Sequence, residues 1–365
     1  MRDEPEFNLV YEDDKEFYEM FKELIASNEK DILEYRKINN RKNSIINSLY
    51  GFIIGDAYGV PYEFNDRSKM KMINNGEMNG FGTHNKPAGT WSDDTAMTLA
   101  TIDSINDKKN IDYEDIMVKF CAWLLKNKFT TDGKVFDVGL TTNKAIKLYV
   151  NTSLDAVQCG GSSIRDNGNG SLMRMMPVCF YLSKANLSEE EESEIINNVS
   201  SLTHAHEISK LGCFIYYQYI KNLLNGMSKN DAYEAMCNYD YSKFYSLDSI
   251  ECYNNLLSHN IKNESIDNIK SGGYIVDTLE SVFYTILNNN NYKDSIIESV
   301  NLGGDTDTIG AITGSIAGIL YGYENIPKEW LDKIPKQDYL NNLISTFDED
   351  ILKDNIKESE ERITR

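Results

Sequence analysis

NLGGDTDTIGAITGSIAGILYGY, Asn301 to Tyr323, decides how the rest of the 365-residue chain is read. Two glycines open it, Asp305 and Asp307 flank Thr306, Thr308 follows, and the remainder is a run of small and apolar residues. Gly310, Gly314 and Gly318 recur every fourth residue, which places them on one face of a helix. Each costs about 1 kcal/mol of helix propensity relative to alanine, so three on one stripe predict a close approach by another backbone. The loop delivers two carboxylates and a hydroxyl to the helix N-terminus. They can be an Asp/Thr cap on a core helix, or oxygen ligands for a hard cation such as Mg²⁺ or Mn²⁺. The stretch alone leaves both readings open. It is too short and too glycine-rich for a membrane span.

The small-residue device recurs upstream in IINSLYGFIIGDAYGVPYEF, Ile45 to Phe64, where Ile45, Leu49, Phe52 and Ile53 keep helical spacing and Gly55 and Gly59 stand four apart. Val60-Pro61 ends that helix, because proline drives the preceding residue out of the α region. Glu63 then sits in the exit loop, as a surface carboxylate or as one that faces a cleft. Residues 65–90 read as loop-rich. They lead into GTWSDDTAM, Gly89 to Met97, where Ser92 suits an N-cap and Asp93 and Asp94 fall in the first turn, favoured by the helix dipole. Capping accounts for one of these aspartates, hardly for both plus a hydroxyl. Ser92-Asp93-Asp94 and Asp305-x-Asp307-Thr308 together make a ligand set for a two-cation hydrolase centre. Four carboxylates converging without a counterion would repel one another severely.

Lys plus Arg total 37 against 57 Asp plus Glu, a net charge of −20. That balance argues against a nucleic-acid binder. It leaves room for a phosphorylated ligand held through cations and helix N-termini. The N-terminus has neither a basic nor an apolar leader region, so a cytoplasmic protein is expected, with no membrane partner. Six scattered cysteines without a CxxC pair predict reduced thiols, and their spacing disfavours zinc.

Elsewhere the chain reads as further helices: Tyr113 to Phe129, a helix entered from Phe136-Asp137 and running through Leu148, Leu187 to Leu202 with a Ser188/Glu191 capping box, Ile208 to Ile220, and Tyr274 to Leu287. Asp137 is either a turn residue or a cleft residue. The loop Gly168-Asn169-Gly170-Ser171 exposes backbone N–H groups able to cradle phosphate oxygens, although it is no dinucleotide fingerprint. His204 and His206 are expected at the end of a helix, pointing apart, one toward a ligand and the other toward solvent. No alternating strands stand out. The expectation is an all-α protein: an acidic helical extension over 1–42, a compact domain over 43–345 and an acidic tail over 346–365. The extension is either a surface element or an arm that binds a partner.

GDAYGVPYEF, GTWSDDTAM, FDVGLTTNKAI, GNGSLMRMMPV, SLTHAH and NLGGDTDTIGAITGSIAG resemble, in order, the signature segments of the ADP-ribosylglycohydrolases, across about residues 43–335. The resemblance implies an orthogonal helical fold around two Mg²⁺ or Mn²⁺ ions ligated by Ser92, Asp93, Asp94, Asp305, Asp307 and Thr308. It further implies that Glu63 lies beside the metals, that Gly168, Asn169, Gly170 and Ser171 hold ADP-ribose phosphates, and that His204 lies beside the nucleotide. Asp137 matches an aspartate near the scissile end in arginine-directed members. Asp94 or Glu63 would then relay the proton, and Asp137 would pair with a leaving guanidinium. Ser92 stands where many members have threonine, and Leu140 where a polar residue is common. The implied activity is release of ADP-ribose from an ADP-ribosylated protein, with arginine linkage favoured over serine or nucleic-acid linkage. The reading from another class is an immunity protein that neutralises an ADP-ribosylating toxin through residues 1–42.

Overall fold

A computed structural model of the protein describes residues 43–349. The expected N-terminal helix, the partner role assigned to it and most of the acidic tail lie outside the described residues. The longer helices are α1 Ser44–Gly59, α2 Asp93–Lys108, α3 Tyr113–Lys126, α4 Leu140–Asn151, α5 Glu189–Ser201, α6 Glu207–Leu224, α7 Ile275–Asn288, α8 Tyr292–Asn301 and α9 Thr306–Tyr321. Among the described residues β pairing is confined to isolated bridges, so the all-α expectation holds. All six cysteines are free.

The two glycine stripes read from sequence are partners. Gly51 meets Gly314, Gly55 meets Gly310, Gly59 meets Thr306 and Asn47 meets Gly318, so α1 and α9 run antiparallel with their backbones in contact. A Cβ built on Gly55 would lie 2.0 Å from the Gly310 carbonyl oxygen, and one on Gly314 2.1 Å from that of Gly51. No side chain fits between them. The Thr306 hydroxyl donates to Gly59 O at 2.8 Å and the Tyr292 hydroxyl to Gly51 O at 2.7 Å, so α9 and α8 both bond into α1. Both helices are buried along nearly their whole length and form the middle of the molecule.

Antiparallel packing has a direct consequence for the site. The C-terminal exit of α1, a 3-10 turn over Val60–Tyr62 followed by Glu63, lies beside the N-terminus of α9. Phe64 N donates to Gly304 O at 2.7 Å and Gly304 N to Asn65 O at 2.9 Å. Gly303 and Gly304 adopt φ of +72° and +73°, a turn that L side chains rarely make. Gly304 also lies against the Ser271 backbone, where a Cβ would come within 2.2 Å of its carbonyl.

Within the loop-rich stretch 65–90, Arg67–Ile73 forms a short helix. One local expectation needs correction. His204 and His206 are not on a helix; they lie in the link between α5 and α6, and the His206 ring caps α6 by accepting from Ile208 N at 3.2 Å. The dipeptide Thr203-His204 instead pairs with the Gly161 loop, Gly161 N donating to Thr203 O at 2.9 Å.

Candidate functional site

The termini of α1, α2 and α9 converge on a hollow of about 250 Å³. Its walls include Glu63 from the α1 exit, Asp93 and Asp94 from α2, Asp305 and Thr308 from α9, and Asp137 and Leu140 from the approach to α4. Gly168, Asn169, Gly170 and His204 also line it. Among the described residues no lysine or arginine lines it. The two acidic clusters, more than 200 positions apart in the chain, are joined directly: Thr308 Oγ1 donates to Asp94 Oδ2 at 3.2 Å. Ser92 Oγ donates to the same oxygen at 3.2 Å and receives Asp94 N at 3.3 Å, so it is the N-cap of α2 and a ligand to Asp94 at once.

Two carboxylate oxygens here have no partner among the described residues: Asp94 Oδ1 and Asp307 Oδ2 are fully buried without a hydrogen bond. Buried acceptors left this way are costly. Ligand oxygens of Glu63, Asp305 and Asp307 lie within 4.8 Å of one another. An oxygen-rich cluster with orphaned carboxylate oxygens and neither lysine nor arginine in its lining is the chemistry that hard divalent ions satisfy. The residues therefore fit a cation centre.

The electrostatics agree. Burial, followed by repulsion from neighbouring carboxylates, holds Asp93, Asp94 and Asp307 well above the usual carboxylate range. Burial likewise raises Asp305, while Asn169, whose Nδ2 donates to Asp305 Oδ2 at 2.8 Å, offsets part of the rise. Glu63 is pushed up to about 7, by burial first and then by Asp137 and Asp305, against the pull of His84 on its Oε2.

The structure brings together all but one of the residues singled out from sequence. Ser171 is the exception: its hydroxyl accepts from Ser200 Oγ at 3.0 Å and faces Cys213 Sγ at 3.4 Å, inside the core rather than in the hollow. Asp307 lies just behind the wall, completely buried. Asp137 sits at the mouth with φ of +52°, an uncommon left-handed conformation that aspartate tolerates. Leu140 and Phe64 flank the mouth, 77% and 68% exposed.

Sequence reasoning missed two groups. Asp56 is buried inside α1 and accepts Ser92 N at 3.0 Å and Thr95 N at 3.0 Å, so one helix caps another. Burial lifts it to about 6. The signal was available, since a lone aspartate in an apolar, glycine-faced helix has no solvent to face. His84, bonded to Glu63 and packed between Phe64 and Phe136, carried no such signal in its glycine-rich loop.

The family sequence model described as ADP-ribosylglycohydrolase matches residues 37–359. The chain belongs to the ADP-ribosylglycohydrolase family. It is 31% identical over 296 residues to an ADP-ribosylarginine hydrolase, Tri1, of Serratia proteamaculans (strain 568), covering 81% of this chain and 76% of that protein. It is 28% identical over 294 residues to an ADP-ribosyl-[dinitrogen reductase] glycohydrolase of Rhodospirillum rubrum, covering 79% of this chain and 89% of that one. Among solved structures, a chain of an ADP-ribosylglycohydrolase-related protein complex matches with a TM-score of 0.70 at 21% identity, over 86% of this chain and 99% of that chain. This last likeness concerns the glycohydrolase fold. No helix among the described residues is long and apolar enough to cross a membrane.

The histidine of this glycohydrolase hollow yields a stability prediction. Burial, with Arg174 adding to it and Asp166 opposing, lowers His204 to about 3. Its folded value lies below the unfolded one, so its contribution is present above pH 6.5 and is lost as pH falls toward 3. One proton excluded on folding costs about 1.4 kcal/mol per pH unit in that window. The carboxylates with raised values act in the opposite sense, so the expected result is a difference: denaturant unfolding at pH 6.5 and pH 5 should give a steeper acid loss for wild type than for His204→Asn. Parallel curves would overturn the assignment of His204 as a buried neutral imidazole.

Proposed function

We propose that the protein is a divalent-cation-dependent hydrolase that releases ADP-ribose from arginine side chains of modified proteins. The observation that carries the reading is the pair of unsatisfied carboxylate oxygens, on Asp94 and Asp307, facing one cluster beneath an open hollow. The similarity to an ADP-ribosylarginine hydrolase supports the linkage.

In this reading Ser92, Asp93, Asp94, Asp305, Asp307 and Thr308 hold two Mg²⁺ or Mn²⁺ ions. When bound, the ions would orient the ribose diol and make a water molecule more acidic. Glu63, near neutrality in its affinity for protons and held by His84, takes a proton from the water that attacks C1′. Asp94 is the second group able to relay it. The C1′–N bond breaks as the C1′–O bond forms, and the proton is delivered to the departing guanidine nitrogen. Asp137, at the mouth, pairs with the guanidinium in the fork geometry carboxylates offer. Gly168, Asn169 and Gly170 offer a diphosphate a wall with little side-chain bulk, and at Gly170 no larger residue fits beside the His204 ring, since a Cβ would come within 2.8 Å of its Cε1. The backbone of Ser171 continues this wall. Phe64 and Leu140 keep the rim apolar and limit water.

The test offers the protein arginine-, serine- and nucleic-acid-linked ADP-ribose, with Mg²⁺, with Mn²⁺ and with chelator. Release is expected from the arginine conjugate, dependent on cation. The same ions should raise the melting temperature of wild type and not of Asp94→Asn. Full turnover in chelator would remove the cation from the mechanism, and preference for another conjugate would remove arginine.

A further inference from the structure

The core behind the glycine wall contains a charge that the mechanism does not use. Arg174 is completely buried, at the end of the short 3-10 helix Asn169–Arg174 that carries the wall. No carboxylate pairs with it among the described residues. Its guanidinium donates to Val199 O at 3.1 Å and to Thr203 Oγ1 at 2.6 Å, lies 4.8 Å from the centre of the Phe120 ring, and leaves Nε without a partner. A buried, uncompensated guanidinium is expensive, and in a chain of net charge −20 it is a conspicuous one to retain.

Thr203 connects it to the hollow. Thr203 Oγ1 accepts from Arg174 and lies 2.8 Å from His204 Nδ1. Arginine can only donate, so the threonine oxygen spends a lone pair on it. Among the described residues the threonine hydrogen then has one acceptor within reach, His204 Nδ1. If Nδ1 carried the proton, that hydroxyl hydrogen would be buried with no acceptor. The network closes only when the proton sits on Nε2. Nε2 faces Gly168, where a Cβ would be 3.4 Å away. Among the described residues nothing accepts from it, and His204 lines the hollow.

We propose that Arg174 is a positioning residue: acting through Thr203, it fixes His204 as a neutral imidazole whose Nε2–H points at a diphosphate on the Gly168–Gly170 wall, and its own charge draws that anion in. The proposal deepens the ADP-ribose reading and rests on it for the identity of the anion. The low proton affinity of His204 is consistent with the neutral ring. Selectivity follows from the geometry. An imidazole held as donor with a cation behind it favours a diphosphate over an uncharged ligand.

The experiment uses the full chain and free ADP-ribose, a binding measurement that requires no turnover. Nitrogen-15 NMR of wild type should show His204 as the Nε2–H tautomer, and Thr203→Val should turn it into a mixture. Arg174→Met, which exchanges a buried charge for an apolar side chain of similar length, should weaken ADP-ribose binding about tenfold. That is the scale of one unit charge near an anion inside a protein. Its melting temperature should be unchanged or raised. A structural role alone would lower the melting temperature and leave the tautomer as it was. The proposal is overturned by an Nδ1–H tautomer in wild type, by a pure Nε2–H tautomer in Thr203→Val, or by wild-type affinity in Arg174→Met. Should Arg174→Met fail to fold, the Thr203→Val spectrum decides. If wild type fails to bind ADP-ribose, the functional reading falls and takes the diphosphate with it; if it binds ADP-ribose but releases none from a conjugate, only the reaction is lost.

Discussion

Asp307→Asn should abolish release of ADP-ribose, by on the order of 10³-fold or more, while leaving the cation-free protein at least as stable as wild type. The two signs have one cause. Asp307 is completely buried, its Oδ1 accepts Thr308 N at 3.0 Å, and its Oδ2 has no partner. Asparagine keeps the shape and the bond to Thr308. It removes one of several like charges whose mutual repulsion and burial hold their proton affinities well above normal, so the cation-free fold gains or breaks even. The cluster it leaves lacks one of the proposed cation ligands, and groups that act as a unit fail together. Asp94→Asn should behave alike, because Asp94 also pairs one bonded and one orphaned oxygen. Activity and melting temperature measured on the same samples, with and without Mg²⁺, check both halves. Retention of a tenth of wild-type activity would sink the cation reading, and a large loss of stability would show these oxygens to be structural.

The second large effect is on the helix pair. Helix propensity by itself predicts that Gly55→Ala stabilises α1 by about 1 kcal/mol. The packing predicts the reverse, because the new methyl would sit 2.0 Å from the Gly310 carbonyl oxygen and 2.5 Å from its carbon. Backbone on both sides cannot rotate away as a side chain can, and overpacking a filled interior costs about 1–3 kcal/mol or more. Sterics therefore win: Gly55→Ala is expected to destabilise the protein, and Gly55→Leu to prevent folding. The activity of Gly55→Ala should fall further than its stability, since any widening between α1 and α9 draws Glu63 away from Asp305. Chemical denaturation measures the first term and turnover of the folded fraction the second. A more stable Gly55→Ala would mean that the two backbones do not touch.

Much of this was legible from spacing. The glycine stripes of Ile45–Phe64 and Asn301–Tyr323 announced close backbone contact, because glycine in a helix is a standing cost that only packing offsets. The doubled aspartates at the starts of α2 and α9 announced more than capping. The direction of the Ser171 side chain was not legible, because a residue adjoining a glycine loop shares the backbone course of that loop while its hydroxyl turns toward Ser200 and Cys213. The two histidines were placed on a helix because Thr203-His204-Ala205-His206 follows a helical pattern without a break signal. The pairing with Gly161 that takes them off it is more than 40 residues away in sequence.

Helix positions, the cost written into each glycine and the presence of surplus carboxylates are properties of near neighbours along the chain, and the amino-acid sequence determined them. Which stripe meets which, in what direction and at what offset depends on how whole helices cross. That was decided only by tertiary structure, in the antiparallel register that sets Gly55 against Gly310. The same holds for Asp56 capping a distant helix, His84 holding Glu63 and Arg174 reaching His204 through Thr203. Each is a contact whose energy is short-ranged in space while its members are far apart in the chain, so local pattern carries no trace of it.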